Sequence, residues 1–218
     1  LMKLKQELEA NYTIQVHPLN FDVRSETAVT EAVASLPIEY KNAIKILINN
    51  AGLAVGRGSI QTGISDDWNR MIDTNIKGLL YVSQAVIPLL IANKNGHIFN
   101  LGSIAGKEVY PNGNVYCASK HAVDALNQSM RMDLNPYGIR VGAIHPGMVE
   151  TEFSEVRFKG DMERASTVYK DIKALQAEDI ADIIYFVVSR PSHVNIGDLV
   201  VFPTAQASAT IVNRTLDL

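Results

Sequence analysis

Short apolar runs alternate along this chain with longer segments whose apolar positions recur at helical spacing. The runs at residues 13–19, 45–49, 97–101, 140–145 and 199–202 read as strands. Helices are expected at 1–10, 25–36, 66–93, 115–135, 161–175 and 178–189. Ser25 and Ser65 stand where N-caps belong, and Glu26 suits the positive end of the helix dipole. Pro136 and Gly138 end the fourth long helix. Strands alternating with helices imply βαβ units and a parallel sheet. Ligands bind such sheets beyond the carboxyl ends of the strands. Asn50-Ala51-Gly52, Ser103 and Pro146-Gly147 each directly follow a strand, so three separate segments converge on one edge.

Composition narrows this picture. A chain of 218 residues fits one domain with a proper core. A net charge of -3 with mixed signs gives no electrostatic case for nucleic acid. Cys117 is the single cysteine and has no internal partner, which fits a reducing, cytoplasmic setting. The longest apolar stretch, 79–92, is interrupted by Ser83, Gln84 and Pro88 and is too short to span a bilayer, so no membrane association is expected. The N-terminus is charged and helical, unlike a signal sequence. The five histidines are scattered, and no metal site is expected from their spacing.

Candidate chemistry centres on Ser103, Tyr116 and Lys120. Tyr and Lys four apart on a helix project from one face. An ammonium beside a phenol favours the phenolate, and a hydroxyl held opposite can fix a substrate oxygen. Such a set moves a proton on or off an alcohol while another group takes the hydride. A free Tyr titrates near pH ~10, so a base useful near neutrality needs roughly 4 kcal/mol of help from its neighbours, about three pKa units.

A second Tyr-x-x-x-Lys pair, Tyr169 and Lys173, serves as an internal control. It has Val156 where Tyr116 has Ser103, and no strand leads into it. It reads as a solvated helical pair.

The segments N-N-A-G at 49–52, N-I-K-G at 75–78, G-S at 102–103, Y-C-A-S-K at 116–120 and P-G-M-V-E-T at 146–151 together resemble the short-chain dehydrogenases/reductases. Within that family, the segments at 153–161, 193–196 and 203–206 resemble NADP-dependent 3-hydroxy acid dehydrogenases that oxidise serine and related compounds. The resemblance implies a Rossmann-like doubly wound parallel sheet with helices on both faces. It implies Tyr116 as general acid/base, Lys120 as its tuning cation and ribose ligand, and Ser103 as the anchor of the reacting oxygen. Asn75 would hold a water between Lys120 and solvent. Asp22 and Val23 would lie near the adenine, with Asn50, Ala51 and Gly52 along the adenosine side. Pro146, Gly147, Met148, Val149 and Thr151 would pass along the nicotinamide. The implied cofactor is NADP, with NAD left open. The implied assembly is a homotetramer through the helices at 66–93 and 115–135.

Several alternatives stay open at this level. Arg157, beyond Pro146-Gly147, is either the grip for a substrate carboxylate or a solvated surface charge. Asn75 could simply tether a helix turn, Cys117 could pack as a small hydrophobe, and Trp68 could be core or interface. No G-x-x-x-G-x-G segment precedes Thr13. The family's phosphate loop lies on its first strand-to-helix turn. The expectation is therefore that the chain opens at the end of the family's second helix. The sheet would then lack its first two strands, with roughly 35–45 residues preceding it in a longer enzyme. A catalytically silent interaction protein, or a reductase of another carbonyl compound, are the rival functions.

Overall fold

The computed structural model describes residues 1–215. Helix α1 (Met2–Asn11) leads through an irregular segment to α2 (Glu26–Ser35) and α3 (Ile38–Ala43). Strand β1 (Ile46–Asn49) is followed by α4 (Ser65–Ile72), a π-helical stretch (Asp73–Gly78) and α5 (Leu79–Ala92). Strand β2 (Gly96–Leu101) then leads to α6 (Asn114–Leu134) and β3 (Ile139–Pro146). The short helices α7 (Phe153–Arg157) and α8 (Met162–Val168) precede α9 (Ala177–Val188) and β4 (Leu199–Val201).

The four strands form a parallel sheet in the order β1-β2-β3-β4. Strand side chains alternate between faces with period two, so neighbours in β2 and β3 enter different cores. Ile98 and Val141 join Leu79, Val86 and Leu90 of α5 and Val123 and Met130 of α6. Phe99 and Ile144 join Ile180 and Val187 of α9 on the other face. Helices therefore cover both sides, which explains why β2 and β3 are near-continuous apolar runs.

Register aligns the strand ends. Asn49 pairs with Asn100, and Leu101 pairs with Ile144. The residues after β1, β2 and β3 thus emerge at one edge of the sheet. From Ser65 to Ala92 the helical backbone runs 28 residues, long and apolar enough to cross a bilayer by length and composition alone. It packs instead against β1, β2 and α2, with Leu79, Val86 and Leu90 in the core.

Three local expectations are corrected. Residues 13–19 form no strand, because a strand exists only in a ladder and no described strand lies beside them. The helix at 65–72 begins after Ile64, so Ser65 makes no cap bond; Asp66 and Asp67 in its first turn complement the dipole instead. The helix expected at 161–175 stops at Val168, where the chain turns to bridge Leu175 to Val149. Ser25, by contrast, caps α2 by accepting from Ala28 N at 3.2 Å.

Candidate active site

Ser103 follows β2 as the N-cap of a short 3-10 turn, its Oγ accepting from Ala105 N at 3.1 Å. That turn lies directly on α6: a Cβ on Gly106 would collide with the Lys120 backbone. Only glycine permits this approach. It brings Ser103 against the helix face that carries Tyr116 and Lys120, with its hydroxyl close enough to the Tyr116 phenol to favour the phenolate. Lys120 Nζ donates to Leu101 O at 2.8 Å, one residue short of Gly102-Ser103. All three side chains line one open cleft of about 1360 Å³ beyond the strand ends.

Burial dominates the electrostatics. It pushes the Tyr116 phenol above its ordinary range, against the downward pull of the Ser103 hydroxyl and the Arg157 charge. Burial also pulls the Lys120 ammonium down to about 8. A buried cation with a single carbonyl partner keeps two donors for a ligand. The expected depression of the Tyr116 pKa is therefore not produced by the chain's own groups: desolvation outweighs them.

Asn75 sits in the π-helical stretch, a distortion frequent at functional sites. Its Oδ1 accepts from Leu53 N at 2.8 Å, and its Nδ2 donates to Leu53 O at 2.8 Å and Ser119 Oγ at 2.9 Å. It staples the loop after β1 to α6. A Cβ on Gly52 would stand 3.3 Å from Asn75 Oδ1 and 3.5 Å from Lys120 Nζ, so glycine keeps a small polar space clear between them.

The cleft brings together Asn50, Gly52, Ser103, Tyr116 and Lys120. Pro146, Gly147, Met148, Val149, Thr151 and Arg157 form its other wall. Asp22, Val23, Ala51 and Asn75 do not line it. Asp22 is held by a fork of hydrogen bonds from Arg24 at 2.6–3.0 Å, and Val23 packs against Gly78. The lining fits the nicotinamide end of a dinucleotide: a bare Gly52 and Gly147, an ammonium with spare donors, and the Thr151 hydroxyl on the wall.

Sequence reasoning missed several neighbours of this set. Tyr110 accepts from Arg157 Nη2 at 2.8 Å, and Gln206 Oε1 accepts from Met148 N at 2.8 Å. Tyr110 sits in no motif, and Gln206 closes the 203–206 segment without any local sign of a bond to Met148, so only the fold reveals these contacts. Tyr169 is not part of a solvated helical pair. It lies beyond α8, donates to Val149 O at 2.7 Å, contacts Ser154 Oγ at 2.7 Å and lines the cleft. Behind Ser103, Asp124, His145 and Asp198 bring ligand atoms within 4.8 Å of one another, a convergence invisible in linear spacing. Lys107 Nζ bridges the two carboxylates at 2.9 and 2.7 Å, so the cluster already contains its own cation.

The profile described as "short chain dehydrogenase" matches residues 1–161. The NADP-dependent 3-hydroxy acid dehydrogenase YdfG of Escherichia coli (strain K12) is 44% identical over 210 residues, covering 96% of this chain and 83% of that protein. Sulfoacetaldehyde reductase 2 of Chromohalobacter salexigens is 44% identical over 216 residues, covering 98% and 84%. Among solved structures, the closed form of a serine dehydrogenase complexed with NADP+ superposes with a TM-score of 0.88 at 42% identity, covering 96% of this chain and 84% of that one.

Proposed function

The chain belongs to the short-chain dehydrogenase family, and on that premise we propose that it transfers a hydride between NADP and the carbinol carbon of a small 3-hydroxy acid such as serine. The observation that carries this reading is the gathering of Ser103, Tyr116 and Lys120 in one cleft at the strand ends, with Lys120 Nζ held by Leu101 O. The bound nicotinamide supplies the hydride acceptor and, when oxidised, a positive charge. Ser103 orients the substrate oxygen. Tyr116 exchanges the hydroxyl proton. Lys120 keeps a cation in the same cleft, one helical turn from Tyr116, and offers its spare donors to the ribose. Asn75 keeps the loop after β1 in register with α6, so that Gly52 stays clear of Lys120.

Arg157 is the proposed grip for the substrate's anionic group. Its Nε is buried without a hydrogen-bond partner, a donor that a carboxylate would satisfy. A sulfonate presents similar oxygens, and the similarity to a sulfoacetaldehyde reductase puts sulfoacetaldehyde in the substrate panel alongside serine and 3-hydroxypropanoate. A cytoplasmic location and homotetramer assembly belong to the same proposal. The second is supported by Leu80 and Met132, exposed on α5 and α6, and light scattering tests it.

Tyr116→Phe tests the chemistry. The variant should keep its Tm and cofactor affinity while kcat falls by at least about a thousandfold, within the general acid–base range. Turnover within a few-fold of wild type would remove Tyr116 from the mechanism.

A further inference from the structure

The Tyr116 ring is enclosed by two side chains of α7. Phe153 lies against it at 5.8 Å between centroids, and the Arg157 guanidinium carbon stands 5.5 Å from its centroid. The same carbon stands 5.5 Å from the Tyr110 centroid, and Nη2 donates to the Tyr110 hydroxyl at 2.8 Å. Gly56 N donates to Arg157 O at 3.0 Å, and Lys159 Nζ pairs with Asp67 at 2.9 Å two residues further on. The guanidinium is thus wedged between two aromatic rings on an anchored segment. A charge held this way acts on the phenol it faces whether or not it also binds a ligand.

Resting on the carboxylate-grip reading, we propose that Arg157 couples substrate binding to the strength of the base. Its charge favours the Tyr116 phenolate in the free enzyme, and the anionic group of the substrate, on pairing with it, returns proton affinity to that oxygen when the substrate hydroxyl arrives. The substrate O–H bond then breaks, its proton passes to the phenolate oxygen, and the carbinol hydride leaves for the nicotinamide. The other groups acting on the phenol are the Ser103 hydroxyl from the turn after β2, Tyr110 from the loop before α6 and Cys117 from α6 itself, while Lys120, also on α6, lines the same cleft. None of these changes charge when an acid substrate binds, whereas Arg157 is neutralised by it. The direction of the Arg157 influence on Tyr116 is downward, as the coupling requires.

The test compares pH profiles of wild type, Arg157→Gln and Arg157→Lys on 3-hydroxypropanoate and on its neutral methyl ester. The acid limb of kcat/KM reports the free enzyme and that of kcat the bound complex. In wild type, the kcat limb for the acid should lie about one pH unit above the kcat/KM limb, and the two should coincide for the ester. In Arg157→Gln, the kcat/KM limb should move up by about one unit on both substrates, roughly a tenfold loss one unit below the limb. Arg157→Lys keeps the charge and should hold the wild-type limb while KM for the acid rises. Ultraviolet difference titration of the NADP+ complex, with Tyr116→Phe as blank, should show the same upward move in Arg157→Gln without turnover. An unmoved limb on the ester in folded Arg157→Gln overturns the coupling, even if KM for the acid rises and the grip survives. A moved limb with unchanged KM for the acid supports the charge influence and removes the grip, and with it the substrate arm of the coupling.

Discussion

Lys120→Met should make the protein inactive and more stable. The lysine is buried with one hydrogen bond, to Leu101 O, and burial carries its ammonium from an ordinary 10.5 down to about 8. Below pH 8 the group is charged in both folded and unfolded chains, and the folded state bears the full cost, about 3 kcal/mol for the shift of some 2.5 units. As pH rises from 8 towards 10.5, the folded protein releases this proton while the unfolded chain still holds it, so the cost fades. Methionine fills similar volume without charge. Losing the charged hydrogen bond returns about 1–2 kcal/mol of the gain. The net is roughly 1–2 kcal/mol of stabilisation at neutral pH, or about 2–8 °C in Tm for a chain of this size. Guanidinium titrations of both proteins at about pH 7, 9 and 10 measure it directly. The gap should be widest at neutral pH and close at the alkaline end, with turnover absent throughout. A variant less stable than wild type at neutral pH, or a gap that does not change with pH, would refute the argument that a desolvated ammonium is held here against its own solvation.

Two further outcomes follow from the packing. His97 is buried in β2 with both ring nitrogens unpartnered, and burial takes it down to about 4, so its contribution to stability is complete above about 6.5 and is lost as pH falls through 4. His97→Phe should remove roughly 3 kcal/mol of acid sensitivity across that window, read from the difference in Tm between about pH 4 and 7; parallel pH curves for the two proteins would contradict this. A Cβ on Gly147 would collide with Gln206 Oε1, which accepts from Met148 N, and would approach Phe202. Gly147→Ala should therefore displace the cleft wall and raise KM for NADP tenfold or more, for roughly 1–3 kcal/mol of overpacking, with little change in kcat; an unaltered KM would show that this wall does not meet the cofactor.

The parts of the fold legible in the sequence are those fixed by local patterns. Strands β1 to β4 lie within a residue or two of the apolar runs, and β2 and β3, buried on both faces, need near-continuous apolar sequence. The cap at Ser25 and the end of α6 near Pro136 follow from donors and acceptors close in the chain. Residues 13–19 carry strand-like sequence with no partner alongside, and a ladder cannot be inferred from one strand alone. The π-helical stretch at 73–78 was equally hidden, because it answers to Leu53 and Ser119 rather than to its own neighbours.

The candidate site divides along the same line, and the division has a physical cause. Ser103, Tyr116 and Lys120 were readable because one helix turn and one strand end suffice to bring them together. Arg157 was readable only as a residue type with two possible roles. What sets it apart from a solvated charge is its enclosure by Tyr110 and Tyr116, residues 47 and 41 positions away that meet it only when α7 folds over the cleft. Chemistry carried by a motif survives in the sequence because its geometry is local. Chemistry carried by field and burial does not, because burial is a property of the whole fold, and here burial outweighs the partners of both Tyr116 and Lys120. The site's electrostatic balance therefore rests on the charges that bind there, which is why substrate charge and reactivity are expected to be linked at Arg157.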